Sequence, residues 1–143
     1  DARRYPLDCC FSMFKQLFAQ GQEFTYGLRE AGSYYNSYIK LMDHWDRVLP
    51  GKVLRFNNED VVEDLENQVS RLLEFLEIPF EEQCISFYET DRLIRTPSSE
   101  QVRKPVNKDG MGRWKPYAKY LKPLLDVIDE DLLKPEDIAY IRG

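Results

Sequence analysis

The sequence predicts an α/β fold in which a parallel sheet is flanked by helices, the chain itself being mostly helical with one or two strands. Two observations carry this prediction. The apolar residues recur at helical spacing in about five separate segments. The short run KVLRF, residues 52–56, has the composition of a buried strand and lies between two of these segments. A helix–strand–helix order is typical of a parallel sheet covered by helices.

The first part of the chain is predicted to hold two helices and the strand. The first helix spans Asp8 to Gln20, with a proline before it and a glycine after it. The second spans Leu28 to Val48 and ends at a Pro-Gly pair. The strand, Lys52 to Phe56, lacks a visible partner unless residues 2–5 are the end of a second strand. The apolar face of the second helix is predicted to comprise Tyr34, Tyr35, Tyr38, Leu41, Met42, Trp45 and Val48.

The remainder of the chain is predicted to form three or four further helices around a long loop. Val61 to Glu77 has the clearest helical period, and a shorter helix is predicted from Glu81 to Tyr88. A polar stretch with two prolines and two glycines, residues 96–114, follows and fits neither a helix nor a strand. Helical period returns from Trp114 to Asp129, and a short helix or turn is predicted from Lys134 to Gly143.

The composition limits the kinds of protein that this chain can be. The 143 residues favour one domain, and 43% hydrophobic residues suffice for a core. A net charge of −5 argues against a nucleic-acid or membrane-surface binder, because both need a basic surface. No membrane-spanning run or signal peptide is visible. Three cysteines, two of them adjacent, make a poor disulfide or zinc framework; reduced, mostly buried thiols and a cytoplasmic location are expected.

Two clusters of residues are candidates for binding an anion. Arg4 precedes the first helix and Ser12 lies on its second turn, where an arginine, a hydroxyl and the helix N-terminus can converge on one phosphate. On spacing alone, a surface arginine and a serine bonded to its own helix are the commoner explanation. The polar loop carries serines, amides, glycines and cations, and a loop of this length is either functional or simply solvated. Its candidates are Ser98, Ser99, Gln101, Arg103, Lys104, Asn107, Lys108 and Arg113.

Other kinds of catalytic site find little support. With His44 as the single histidine, no Ser-His-Asp or Cys-His arrangement is available. His44 lies beside Trp45 on the second helix, and we interpret it as structural. The carboxylates are scattered, so that no acid/base pair stands out, and no metal ligand set is predicted.

Several segments together resemble the sulfotransferases that use 3′-phosphoadenosine 5′-phosphosulfate (PAPS). The closest resemblance is to bacterial sulfotransferase domains fused to tetratricopeptide repeats and to tyrosylprotein sulfotransferases. RYPLDCCFS is similar to the family's R-x-P-x-D-x-x-x-S element, and YYNSYIKLMDHWDRVLPGKV to a long structural stretch. EDVVEDLENQVSRLLEFLEIPFEEQC resembles its continuation, and SSEQVRKPVNKDGMGRW resembles the loop that closes over the nucleotide.

The resemblance implies a fold, a reaction and a set of site residues. The fold is the P-loop-like sulfotransferase fold, and the reaction moves a sulfuryl group from PAPS to a hydroxyl or amine acceptor without a metal. Arg4 and Ser12 are implied to hold the 3′-phosphate of the nucleotide. The loop residues implied to contact the nucleotide are Ser98, Gln101, Val102, Lys104 and Arg113.

The sequence departs from the family pattern at two places. Asn58 stands where the family usually has a tyrosine before the acidic pair Glu59-Asp60. The glycine-rich loop that holds the 5′-phosphosulfate, and the catalytic acid or base, are not found in residues 1–143, so the catalytic residue is left unassigned.

We therefore expect residues 1–143 to be the C-terminal part of one sulfotransferase domain, inactive alone, which partners the missing N-terminal segment. The alternatives are an inactive, sulfotransferase-derived helical interaction domain and a regulatory nucleotide-binding half. A chain that begins at Asp1 fits both a fragment and a native short protein.

Overall fold

The computed structural model describes residues 1–18, 20–90 and 102–143, and within them the fold is mostly helical with one small parallel sheet. The strands are β1 (Ala2–Arg3) and β2 (Phe56–Asn57). The α-helices are α1 (Pro6–Lys15), α2 (Leu28–Val48), α3 (Asn58–Glu63), α4 (Leu65–Phe75), α5 (Lys122–Leu125) and α6 (Pro135–Arg142). Short 3₁₀ helices span Glu23–Tyr26, Glu82–Cys84, Phe87–Glu89, Lys115–Tyr120 and Glu130–Leu132.

The two strands pair in parallel, with Ala2 opposite Phe56 and Arg3 opposite Asn57. A parallel pair needs a long crossover, and here α1 and α2 provide it. The sheet and the predicted end of a second strand at residues 2–5 are thereby confirmed. The position of the other strand was wrong: pairing begins at Phe56 rather than Lys52, because β1 begins at Ala2, which lies opposite Phe56, and offers two partners only.

The core lies between α1, the first half of α2 and the segment from Trp114 to Ile141. Its contributors from α1 and α2 include Leu7, Cys10, Ala31 and Tyr35, and the C-terminal segment adds Trp114, Leu121, Leu124 and Leu125. Trp114 is 1% exposed, which fixes the end of the polar loop in the core. No side chain from residue 40 to residue 90 is fully buried, so this part of the chain packs less tightly than the rest.

Several predicted helices are shorter or differently divided than expected. The predicted helix from Val61 to Glu77 is two helices, because Asp64 leaves helical geometry (φ −146°, ψ 76°) and caps α4 by accepting a hydrogen bond from the Asn67 N–H at 3.3 Å. The predicted helix from Trp114 to Asp129 is a 3₁₀ helix followed by α5. Pro116 and Pro123 each sit at the start of a new element, where the missing N–H is tolerated. The segment from Glu81 to Tyr88 forms 3₁₀ turns rather than an α-helix.

Helix α2 has the predicted bounds, but its predicted apolar face is only partly buried. Tyr35 is 4% exposed, whereas Tyr34, Leu41, Trp45 and Val48 are between 38% and 52% exposed. Thus α2 contributes to the core only as far as Ile39. Of the cysteines, Cys10 is buried, Cys9 is partly buried and Cys84 is exposed, and all three are free thiols. Within the described ranges, no helix is both long and apolar enough to cross a membrane.

Candidate functional site

A cleft of about 640 Å³ lies between α1, the start of α3 and the polar loop after residue 101. Its walls combine four cations with two carboxylates, three amides and one hydroxyl, and an apolar side. The lining residues are Arg4, Asp8, Phe11, Ser12, Lys15, Gln16, Asn58, Val62, Phe87, Val102, Lys104, Pro105, Val106, Asn107, Asp109, Gly110, Met111 and Arg113.

Five of the seven residues predicted to bind the nucleotide line this cleft. Arg4 and Ser12 come from the start of the chain, and Val102, Lys104 and Arg113 come from the loop about 100 residues later. The structure thus brings the two predicted clusters to one place. The remaining two, Ser98 and Gln101, lie outside the described residues, as does Ser99.

Arg4 joins the two sides of the cleft. Its backbone carbonyl accepts a hydrogen bond from the Tyr35 hydroxyl at 2.7 Å, which ties the turn between β1 and α1 to α2. A terminal nitrogen of its guanidinium donates to the carbonyl of Gly110 in the loop. Its Nε is buried without a hydrogen-bond partner. Because the charged guanidinium of Arg4 belongs to a residue that lines the cleft, it is well suited to bind an anion there.

Asp8, in the first turn of α1, was not predicted as a site residue. It is 5% exposed, and its two carboxylate oxygens accept the N–H of Gly112 at 2.9 Å and the N–H of Arg113 at 3.1 Å. Burial raises the pKa of the Asp8 carboxyl, against the lowering effects of the Gly112 N–H, the Arg4 charge and the Arg113 N–H. The sequence showed the aspartate in the RYPLD element, but only the fold places it against the loop.

Ser12 and Lys15 follow Asp8 along α1 and face the same cleft. Ser12 is exposed and sits two turns into the helix, as predicted. Lys15 was not predicted; its ammonium lies 5.2 Å from the centre of the Phe11 ring. Helical spacing offered a signal for Lys15, because residues three apart share a helix face.

The remaining wall of the cleft is apolar. It is formed by Phe11, Val62, Phe87, Val102 and Met111, drawn from α1, α3, a 3₁₀ turn and the loop. Phe11 is held in place by a ring contact with Tyr117, with 5.0 Å between the ring centres. An apolar wall opposite a few convergent polar groups is the usual composition of a small-molecule site.

Some predicted candidates are placed elsewhere. Lys108 is absent from the cleft lining, and Arg103 donates to the carbonyl of Thr90 at 3.4 Å. His44 is exposed on α2 and contacts Trp45 edge to face, with 5.4 Å between ring centres, and Trp45 itself is 38% exposed rather than in the core. Outside residues 19 and 91–101, no group of three or more His, Cys, Asp or Glu side chains is arranged to hold a metal ion.

Comparison with known proteins adds two findings. A family model described as "Sulfotransferase family" matches residues 1–82, more than half of the chain. An uncharacterized protein of Aquifex aeolicus (strain VF5) is 33% identical over an alignment of 138 residues that covers 94% of this chain. The chain spans 18% of the length of that relative.

The matched residues include both ends of the predicted 3′-phosphate element, Arg4 and Ser12, and the whole of the parallel β1–β2 pair with its helical crossover. The sequence motifs, the cleft and the family match therefore agree, and the chain belongs to the sulfotransferase family.

Proposed function

We propose that the cleft binds the nucleotide and 3′-phosphate of PAPS, and that this chain supplies that function to a sulfotransferase. The observation that carries the proposal is the convergence of Arg4, Ser12, Val102, Lys104 and Arg113 on one cleft. A volume of about 640 Å³ also lies within the usual range of about 300–1,000 Å³ for small-molecule sites.

The charges of the cleft support an anionic ligand. Arg4, Lys15, Lys104 and Arg113 outnumber the two lining carboxylates, Asp8 and Asp109, in a chain whose net charge is −5. Asp8 is already bonded to two backbone N–H groups of the loop. The excess of positive charge is therefore local, as a site for a phosphorylated ligand requires.

The apolar wall supports a nucleotide rather than a free phosphate. Phe87 and Phe11 offer aromatic faces, and Val62 and Val102 offer aliphatic contact. Purines stack favourably on such side chains. A ligand with its phosphate at Arg4 and Ser12 and its base against this wall satisfies both halves of the cleft.

The proposed reaction is transfer of a sulfuryl group from PAPS to a hydroxyl or amine acceptor, which releases 3′-phosphoadenosine 5′-phosphate. By analogy with phosphoryl transfer, the displacement is in line, and cations stabilise charge on the leaving phosphate. We assign no catalytic acid or base to this chain. The proposed fold is the P-loop-like one, with the 5′-phosphosulfate loop contributed by residues outside residues 1–143.

The compartment and subtype belong to the same proposal. Three free cysteines are typical of a reducing compartment, and we propose the cytoplasm. The likeness of the motifs favours the subtype fused to tetratricopeptide repeats.

A matched pair of lysine variants tests the site. Lys104 lines the cleft and Lys108, four residues later in the same loop, does not. In the full-length protein, Lys104→Ala is expected to weaken binding of 3′-phosphoadenosine 5′-phosphate by about 1 kcal/mol, whereas Lys108→Ala leaves it unchanged. Isothermal titration calorimetry measures both. Equal effects of the two substitutions would place the nucleotide elsewhere.

Arg4→Ala gives the stronger form of the same test. Loss of a charge-assisted contact in a partly buried site is expected to cost about 2–4 kcal/mol for 3′-phosphoadenosine 5′-phosphate. Binding of adenosine 5′-phosphate, which has no 3′-phosphate, should change little. If the intact protein binds neither nucleotide, the alternative of an inactive interaction domain is favoured, since α2 and the segment from Phe75 to Phe80 expose several apolar side chains.

A further inference from the structure

Asp8 forms a long-range contact whose role the proposed nucleotide site does not by itself explain. Its carboxylate lies at the start of α1 and binds two successive backbone N–H groups, those of Gly112 and Arg113, more than 100 residues away. One carboxylate thereby fastens the end of the polar loop to the helix that carries Ser12.

The loop is shaped to receive this carboxylate. Gly112 has φ +69°, in the left-handed region that favours glycine. A left-handed residue beside right-handed ones turns successive N–H groups toward one point and makes a small anion-binding concavity. Here the anion in the concavity is Asp8, so these N–H groups are occupied by the protein itself rather than by a ligand.

The same turn also controls Arg4. The carbonyl of Gly110 accepts a hydrogen bond from the Arg4 guanidinium, and a Cβ placed on Gly110 would lie 3.0 Å from that nitrogen. The chain of contacts is closed: Arg4 binds Gly110, the turn leads to Gly112, and Gly112 binds Asp8, which is on the helix that follows Arg4. A movement of the turn therefore alters the contact that holds the guanidinium.

The ionised carboxylate of Asp8 has an energetic cost in the folded protein. Its burial raises its pKa although two N–H groups and the charge of Arg4 favour the ionised form. Thus the ionised carboxylate is destabilised relative to water. The two hydrogen bonds to the turn offset part of this cost.

We propose that Asp8 is a positioning residue of the nucleotide cleft, which by holding the turn from Gly110 to Arg113 on α1 directs the side chains of Arg4 and Arg113 at one phosphate. The proposal rests on the proposed function of the cleft. It differs from that function in assigning Asp8 a role that acts through Arg4 and Arg113.

Asp8→Asn in the full-length protein tests the proposal, because a charge effect and a positioning effect predict opposite changes in the affinity for the nucleotide. If only charge mattered, removal of a negative charge beside the site would strengthen binding of an anion. If Asp8 positions the turn, the amide, with one acceptor oxygen where the carboxylate has two, releases it. We expect binding of 3′-phosphoadenosine 5′-phosphate to weaken by about tenfold and binding of adenosine 5′-phosphate to change by less than about threefold.

Amide hydrogen exchange and a second variant distinguish a displaced turn from a general loss of protein stability. In Asp8→Asn without ligand, the amides of Gly112 and Arg113 should exchange faster than in the wild type. Gly112→Ala strains the turn at φ +69° and leaves the Asp8 side chain unchanged. It should produce the same selective loss of affinity for 3′-phosphoadenosine 5′-phosphate. The matched control is Asp137→Asn: Asp137 is also buried, at 8% exposure, but binds the Tyr5 hydroxyl and is not in the cleft. It should leave the preference between the two nucleotides unchanged.

The outcomes separate this proposal from the proposed function. Unchanged or tighter binding by Asp8→Asn, in a protein whose wild type binds 3′-phosphoadenosine 5′-phosphate, overturns the positioning role alone. A wild type that binds neither nucleotide overturns both. Selective loss in Asp8→Asn and Gly112→Ala, with Asp137→Asn unaffected, supports the role of Asp8.

Discussion

Gly110 shows how closely the cleft is fitted around Arg4. Its backbone carbonyl accepts the guanidinium, and the absence of a side chain is what leaves room for that nitrogen. A glycine in a loop allows close approach of a neighbouring group. In the structure, the group that approaches Gly110 is an arginine of the same chain.

Gly110→Ala should therefore act on binding and not on stability. The added Cβ would lie 3.0 Å from one terminal nitrogen and 3.7 Å from the central carbon of the guanidinium, so the guanidinium must shift. We expect about three- to tenfold weaker binding of 3′-phosphoadenosine 5′-phosphate and a change in unfolding free energy below about 0.5 kcal/mol. In an Arg4→Ala background the same substitution should have no effect on binding, which a double-mutant cycle by calorimetry measures. A full effect in that background would contradict the assignment.

The raised pKa of Asp8 predicts that the stability of the protein depends on pH. Its pKa in the folded protein is raised above 3.8, first by burial, with Arg4 and Glu59 the charged groups that face it. Between the unfolded and folded pKa values the folded protein binds more protons, so it loses stability as pH rises through that window. Asparagine does not titrate.

Urea unfolding of wild type and Asp8→Asn over a pH series above 3.8 measures this effect. Since the other titrating groups are common to both proteins, their contributions largely cancel in the difference. We expect the difference in unfolding free energy to move in favour of Asp8→Asn as pH increases. A constant difference, or one that moves toward the wild type, would mean that the folded pKa is not raised.

At the scale of elements, α2 is the piece that the sequence predicts best. Its bounds, Leu28 to Val48, match because the apolar period is long and a glycine and a Pro-Gly pair flank it. The division between α3 and α4 was missed, because Asp64 falls between apolar positions and leaves their period intact. Asp64 caps α4 by accepting a hydrogen bond from the Asn67 N–H, and hydrophobic periodicity carries no signal for such a side-chain contact.

The site was predictable to the extent that its residues are close in sequence. Arg4 and Ser12 are eight residues apart in one motif, and the cations of the loop stand out by composition. The bond between Asp8 and Gly112 joins positions 104 residues apart, and no local pattern predicts it. Lys15 was missed although it is one helical turn from Ser12, because the resemblance did not point to it.

Helix α2 is joined to the C-terminal segment by Asn36, and this contact can be tested. Asn36 is 8% exposed; its side-chain N–H groups donate to the Val127 carbonyl at 2.8 Å and to Asp129 at 3.2 Å, and its oxygen accepts the Asp129 N–H at 3.1 Å. Asn36→Ala leaves buried groups without partners. We expect a loss of about 2–3 kcal/mol of unfolding free energy, measured by urea titration.

Its neighbour Ser37 is the matched control. Ser37 is exposed and donates only to the Ser33 carbonyl of its own helix, at 2.9 Å. Ser37→Ala should change the unfolding free energy by less than about 0.5 kcal/mol. Similar losses for the two substitutions would show that α2 is destabilised as a helix, rather than detached from the C-terminal segment.

At the scale of the whole molecule, the cleft lies where two differently packed parts of the chain meet. Arg4, Asp8 and Ser12 belong to the region with the buried core, while Asn58, Val62 and Phe87 belong to residues 40–90, in which no side chain is fully buried. A ligand that contacts both would link the less tightly packed part to the core. Binding energy is then partly used to order that part, which is a general cost of sites built between elements of unequal stability.

The distribution of charge over the whole molecule predicts how nucleotide binding depends on salt concentration. The chain carries −5 overall, whereas the cleft has four cations and two carboxylates. Raising the salt concentration from about 0.1 M to about 1 M shortens the screening length from about 10 Å to about 3 Å. If the local cations dominate, binding of 3′-phosphoadenosine 5′-phosphate must weaken with added sodium chloride, and by more than binding of adenosine 5′-phosphate, which carries one phosphate fewer. If the net charge dominates, salt relieves a repulsion and binding strengthens. Calorimetric titrations of the full-length protein with both nucleotides across this range decide between the two, and tighter binding at high salt would contradict an anion site formed by Arg4, Lys15, Lys104 and Arg113.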